Sequence, residues 1–238
     1  MPIIGFDIHN RKPYDAGQAF GDVGAYEQID GVATFAVDPN NPANALITDL
    51  DLASRDDDGR VRFEADLSIL QPVDSSAGPQ RLLVELPNRG RRRIVANFNG
   101  GPPLDPARDV HPGDGFLFRH GFTVVSIGWQ HDVYRSDALM GVEAPLAMSG
   151  DKSVSGQTMV EFRPNELQTT YLLANRIHRP YPAADLEEAG AELTVREWED
   201  GPYVVIPRDK WQFGRETDSG VESDAEYIYM ADGFEPGK

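Results

Sequence analysis

The chain has 238 residues, 40% apolar and 26% charged, enough apolar material for a core and for one large or two small domains. Thirty-nine acidic residues against 22 basic ones give a net charge of −17, which disfavours nucleic acid and anionic lipid as partners. Cysteine is absent, which excludes disulfides, thiolate metal sites and a thiol nucleophile.

The start, MPIIGFDIHNRKPYDAG, has no basic segment followed by a long apolar one, so no secretory signal is read there. No apolar stretch approaches the about 20 residues that cross a bilayer. The expectation is a cytoplasmic protein with no membrane and no nucleic-acid partner.

The first predicted strand is Tyr26 to Val37, with Asp30-Gly31 marking a turn or bulge inside it. Asp38 to Asn44, DPNNPAN, is a turn cluster. ALITDLDLASR reads as a strand and DDDG as a hairpin turn ending at Asp58-Gly59. The return strand is the clearest pattern. Val61, Phe63, Ala65, Leu67 and Ile69 alternate with Arg60, Arg62, Glu64, Asp66 and Ser68. Period two puts the apolar side chains on one face and the polar ones on the other, as in a half-exposed antiparallel strand.

RLLVELP, Arg81 to Pro87, is short and nearly all apolar, which predicts a strand buried on both faces. PNRGRRR follows, with Arg89, Arg91, Arg92 and Arg93 in an otherwise acidic chain. A long glycine- and proline-rich loop leads to GDGFLFRHG, a short helix with Asp114 near its start and Gly121 just past its end. FTVVSIGW, Phe122 to Trp129, is a second buried strand. Strand, loop, helix, strand is the order of a β-α-β unit, whose two strands run parallel. The last hundred residues read as short strands and turns. NELQTTYLL is either a strand or a short helix, and YPAADLEEAG has room for one helical turn.

No serine stands in the G-x-S-x-G elbow that a serine hydrolase on such a sheet requires. Ser126 lies mid-strand after Val124, and Ser155 lacks the flanking glycines. The five histidines, His9, His111, His120, His131 and His178, show no zinc spacing. His131 and Asp132 follow a buried strand, where functional loops sit, but adjacent residues on an extended chain point apart. An EF-hand counted from Ser54 puts Asp56, Asp58 and Gly59 in place, yet Ala65 falls where the bidentate glutamate belongs. The hairpin turn explains the same aspartates. Trp129, Trp198 and Trp211 are candidates for a stacking platform, although aromatic residues mostly fill cores. Neither a cofactor nor a metal is expected.

The stretch from GDVGAYEQIDGVATFAV through LLVELPNRGRR to GDGFLFRHGFTVVSIGWQHDV resembles the N-terminal half of a bacterial family of large α/β-hydrolase-domain proteins, mostly uncharacterised and assigned as ester hydrolases. PNRG and GWQHD are its most specific parts. The resemblance implies an α/β fold of high β content: the antiparallel start of a hydrolase sheet and a β-α-β unit over residues 1–140, then a β-rich insertion over 141–238. It implies that the loop at Asn88, Arg89 and Gly90 supplies a backbone N–H to an oxyanion hole. It also implies that the nucleophile, acid and histidine of the family lie beyond this sequence, so the chain is inactive alone. It would then work with a second polypeptide that completes the fold, or self-associate through its open sheet edge. The alternative is a non-enzymatic β-rich module that binds a sugar, an aromatic ligand or calcium. A third reading is an enzyme built on a pair of carboxylates.

Overall fold

A computed structural model describes residues 3–102, 110–174 and 178–237. The protein is β-rich and divides into two compact units, Met1–Val154 and Ser155–Lys238. The sequence places the division after residue 140. A short strand at Val142–Glu143 pairs back onto the main sheet and keeps the following residues with the first unit.

The first unit is built on one mixed sheet of β1 (Ile3–Pro13), β2 (Tyr26–Val37), β3 (Val61–Pro72), β4 (Arg81–Glu85), β5 (Phe122–Ile127) and β6 (Val142–Glu143). The strand order is β1-β2-β3-β5-β4, with β6 pairing β3. All pairings are antiparallel except β4 with β5, which is parallel. Two short helices, α1 (Ile94–Phe98) and α2 (Phe116–Arg119), lie on the connection between those parallel strands. A parallel pair needs such a crossover, because the chain must return to the same end of the sheet. Two further strands, β7 (Met148–Ser149) and β8 (Lys152–Ser153), form a small hairpin.

The main core cluster lies on the face of β3 that carries Ser68 and Leu70: Tyr26 of β2, Leu70 of β3 and Val124 of β5 pack with Tyr14, Phe20, Val95, Leu117 and Phe118, while Val61, Ala65 and Leu67 are buried on the opposite face. The Tyr26 hydroxyl donates to the carbonyls of Phe118 and Phe122, at 3.1 and 3.0 Å, so its one polar atom is satisfied inside the aromatic cluster. Burial pushes that hydroxyl's pKa far up. Fully buried Asn99 joins the ends of the crossover: its amide donates to the Pro112 carbonyl and its oxygen accepts from the Leu117 N–H. Helix α2 begins and ends as its sequence requires. The Asp114 carboxylate accepts the Phe116 N–H at 2.8 Å, and Gly121 follows in the left-handed region at φ 69°.

Four expectations change. Residues 45–55 are turns, a single 3-10 turn at Leu50–Leu52 and one isolated bridge from Ala53 to Ala147 rather than a strand; Leu46 is 96% exposed, so no sheet takes up its apolar surface. Asp30-Gly31 continues β2 without a break. The irregularity lies opposite, where β1 bulges between Ile8 and Asn10. Asn88–Gly90 and α1 put structure into the predicted long loop, whose residues 103–109 lie outside the described set. Strand β4 is not buried on both faces: Leu82, Val84 and Leu86 are 62%, 48% and 61% exposed, because β4 ends the sheet and nothing covers that face among the described residues.

The second unit is made of short antiparallel pieces. β9 (Gln168–Leu172), β12 (Trp211–Phe213) and β15 (Tyr227–Phe234) form a three-stranded sheet, with β15 central. β10 (Leu193–Val195) pairs β11 (Val204–Ile206), and β13 (Arg215–Thr217) pairs β14 (Gly220–Glu222). NELQTTYLL therefore resolves as a strand, and YPAADLEEAG holds turns without a helix. The core is Trp211, Ile228, Met230 and Phe234, with Phe162 and Tyr171 stacked beside them.

Candidate functional site: the paired loops after β4 and β5

Parallel β4 and β5 deliver their following loops to the same edge of the sheet, the edge where α/β sheets bind ligands. The first loop holds Asn88, Arg89 and Gly90 in a tight 3-10 turn, with Arg89 left-handed at φ 57° and Gly90 at φ 75°. Gly90 is sterically required: an added Cβ would stand 2.8 Å from the Met140 carbonyl oxygen and 2.9 Å from the Met140 nitrogen. That close approach is a backbone bond, with the Met140 N–H donating to the Gly90 carbonyl at 3.0 Å.

The two loops are laced together. The Arg89 backbone N–H donates to Gln130 Oε1 at 2.6 Å, and its guanidinium donates to Asp132 Oδ2 at 3.1 Å. The Trp129 indole N–H donates to the Pro87 carbonyl at 3.0 Å. The second loop has its own anchor. Asp66 of β3 takes the Arg135 guanidinium on both oxygens, at 2.6 and 3.0 Å, and also accepts the Gly141 N–H. The hydrogen bond to Asp66 raises the Arg135 pKa further. Gly128 and Gly141 cross so closely that a Cβ on Gly128 would meet the Gly141 oxygen at 2.2 Å.

Beneath the first loop, Glu85 is buried at the end of β4. Its Oε1 accepts the backbone N–H groups of Arg93 and Ile94 at 2.6 and 2.9 Å, and its Oε2 accepts the Ser126 hydroxyl at 2.8 Å. It thus caps the entry to α1 and ties it to both parallel strands. A polar row continues across the sheet. Arg92 donates to Ser68 Oγ at 3.1 Å and lies 3.8 Å from Asp30. Asp30 also accepts from Ser68, Gln28 and Asn10. The basic run is therefore not one patch. Arg89 and Arg92 fasten the loop from opposite sides, while Arg93 is exposed.

The structure brings Arg89 and Asp132 together. His131 is exposed on the turn beside them, while the Asp132 carboxylate engages Arg89. The oxyanion-donor candidate is engaged too, because the Arg89 N–H points at the Gln130 side chain. Sequence reasoning passed over Glu85 and Gln130. Glu85 had a signal, as the single acid in an apolar run. Gln130 had none, since its role depends on the distance between two loops. Ser126, the serine of β5, is buried and donates to Glu85.

The other candidates lie elsewhere. Asp56 organises its turn: its carboxylate accepts the N–H groups of Asp58 and Arg60 and pairs with Arg62. Among the described residues, no group of three acids or histidines is disposed to hold a metal ion. Trp211 is a core residue of the second unit, while Trp129 and Trp198 are exposed. A pocket of about 370 Å³ opens at the opposite, N-terminal end of the parallel strands, beside Arg81, Leu82 and Thr123. No described helix is long and apolar enough to cross a membrane. Comparison with family models, with curated proteins and with solved structures gives no match.

Proposed function

We propose that this chain is the opening portion of an α/β-hydrolase sheet of the carboxylic ester hydrolase class, carrying the loop scaffold of the site but not its nucleophile. The observation that carries the reading is the sheet itself. A parallel β4–β5 pair, joined through α1 and α2, follows antiparallel strands, and among the described residues no strand pairs the far side of β4. An incoming strand on that edge would bring its C-terminal loop beside Asn88, Arg89 and Gly90 if it ran parallel to β4. The catalytic side chains then come from a second polypeptide or a further segment. The scaffold's contribution is preorganisation, since backbone donors held before reaction cost no reorganisation during it. In that assembly Gln130 Oε1 yields the Arg89 N–H to the substrate oxygen.

The test uses p-nitrophenyl esters and a fluorophosphonate label. The purified chain alone is expected to give no turnover and no labelled serine. Together with the polypeptide encoded immediately downstream, turnover appears and the label falls on that second polypeptide. Turnover by the chain alone, with label on one of its own serines, ends the reading.

A further inference from the structure

The open edge of β4 has a chemical character that selects its occupant. Leu82, Val84 and Leu86 present a row of exposed apolar side chains along one face of the strand. β4 pairs on one side only, with β5, so the backbone groups on its other side have no strand partner among the described residues. Such an edge is a template for a further strand, which gains main-chain hydrogen bonds and seats its alternate side chains beside the row.

The charges at its ends decide which strand. Arg81 opens β4, while Arg91 and Arg93 follow it. Among the described residues none of these three has a carboxylate partner, in a chain of net charge −17 rich in acids. Arg81 instead lies over the Phe122 ring, and the buried Nε of Arg91 has no hydrogen-bond partner. A second copy is a poor fit. A two-fold pairing of β4 with β4 is antiparallel and sets Arg81 of one copy against the arginine loop of the other, while two strongly acidic bodies approach.

We propose that the β4 edge is a strand-acceptor site for an extended segment of another polypeptide, apolar at alternate positions and flanked by carboxylates. The inference extends the partner half of the function proposed above but stands on the edge alone. A chain that binds such a strand in a complex without esterase activity would keep this inference and end that reading.

The experiment titrates the full chain with a short synthetic peptide of alternating valine and threonine flanked by aspartate and glutamate, and with the same peptide flanked by lysine. Fluorescence anisotropy reads affinity, and amide hydrogen exchange reads location. The acidic peptide is expected to bind at least about tenfold tighter at low salt, with the difference shrinking as salt is added. New exchange protection is expected within residues 81–86. Val84→Lys, on the exposed row, removes binding without changing the circular dichroism spectrum. Should that variant misfold, the surface change Arg81→Glu with Arg93→Glu carries the test by reversing the preference between peptides. Equal affinities, protection outside β4, no binding of either peptide, or a β4-mediated dimer that Val84→Lys dissociates would each overturn the proposal.

Discussion

At the scale of single residues, Glu85 does what the basic run alone cannot. It is a buried acid with three donors, two of them the backbone N–H groups that open α1. Glu85→Ala leaves those donors and the Ser126 hydroxyl facing apolar space, and a buried unsatisfied group costs about 1–3 kcal/mol. We expect urea unfolding to show a loss of about 2–3 kcal/mol for Glu85→Ala and a smaller one for Glu85→Gln, which keeps an acceptor. A loss no greater than that of an exposed control such as Glu64→Ala would remove Glu85 from this role. The Arg89–Asp132 pair is different, because the guanidinium is partly exposed. A double-mutant cycle on Arg89→Ala and Asp132→Asn should return a coupling of only about 0.5–1 kcal/mol. Its use is to hold the loop, so the two single variants should raise exchange at the Gly90 and Arg91 amides more than they lower stability.

At the scale of elements, what the sequence revealed follows the reach of each signal. Strand β2 runs from Tyr26 to Val37 as its residues predict, and β3 keeps its alternation through Val61, Ala65 and Leu67. The pattern fails toward the end of β3, where Ser68 and Leu70 share the face marked as polar yet are buried, Ser68 hydrogen-bonded to Arg92 and Leu70 in the main core cluster. It fails at β4, where apolar residues on both faces cannot say whether a neighbour is present. The candidate site was legible as loops after strands, but its lacing through Gln130 and Glu85 was not, since side-chain reach is a tertiary property. Gly31 shows a local signal with a distant cause. Its missing Cβ leaves room for the β1 bulge, where the Asp7 carbonyl oxygen would lie 2.1 Å from that atom. Gly31→Ala must therefore displace β1, and we expect a loss of about 2–4 kcal/mol with exchange protection falling first in Ile3–Pro13. The Asp56 turn makes a pH prediction. Hydrogen bonds from the Arg60 N–H and then from Arg62 lower the Asp56 pKa in the folded protein. Its stabilisation is therefore complete above the ordinary aspartate value of about 4 and is lost as pH falls through that range toward the lowered one. The difference in melting temperature between wild type and Asp56→Asn should shrink on acidification across that range. A constant difference would show that the carboxylate charge does not matter there.

At the scale of the whole molecule, the two units hold themselves together unequally. The first gathers ten buried residues into one cluster beneath a six-stranded sheet, with Asn99 and Tyr26 satisfied inside it. Among the described residues, the second has a core cluster of four buried residues, a three-stranded sheet and two short hairpins, one of which packs Leu193 and Ile206 against that cluster. Its Trp211 indole nitrogen is buried without a hydrogen-bond partner, which subtracts from a core already small. The β10–β11 and β13–β14 ribbons have only three residues per strand and depend on the small core and sheet they rest against, because a hairpin alone is marginal in water. Opening should therefore begin in the second unit, since local stability follows buried apolar contact. Native-state hydrogen exchange is expected to show the amides of Trp211–Phe213 and Tyr227–Phe234 exchanging at lower denaturant than those of Tyr26–Val37 and Val61–Pro72. Trimming the second core at its orphaned indole is the matching perturbation. Trp211→Phe removes the orphaned N–H and leaves a small void, two effects of opposite sign, so it should shift the second unit's exchange modestly and leave β2 and β3 unchanged. If both units exchange together at one denaturant concentration, they unfold as a single cooperative body, and the small core of Ser155–Lys238 is sustained by more than its own contacts.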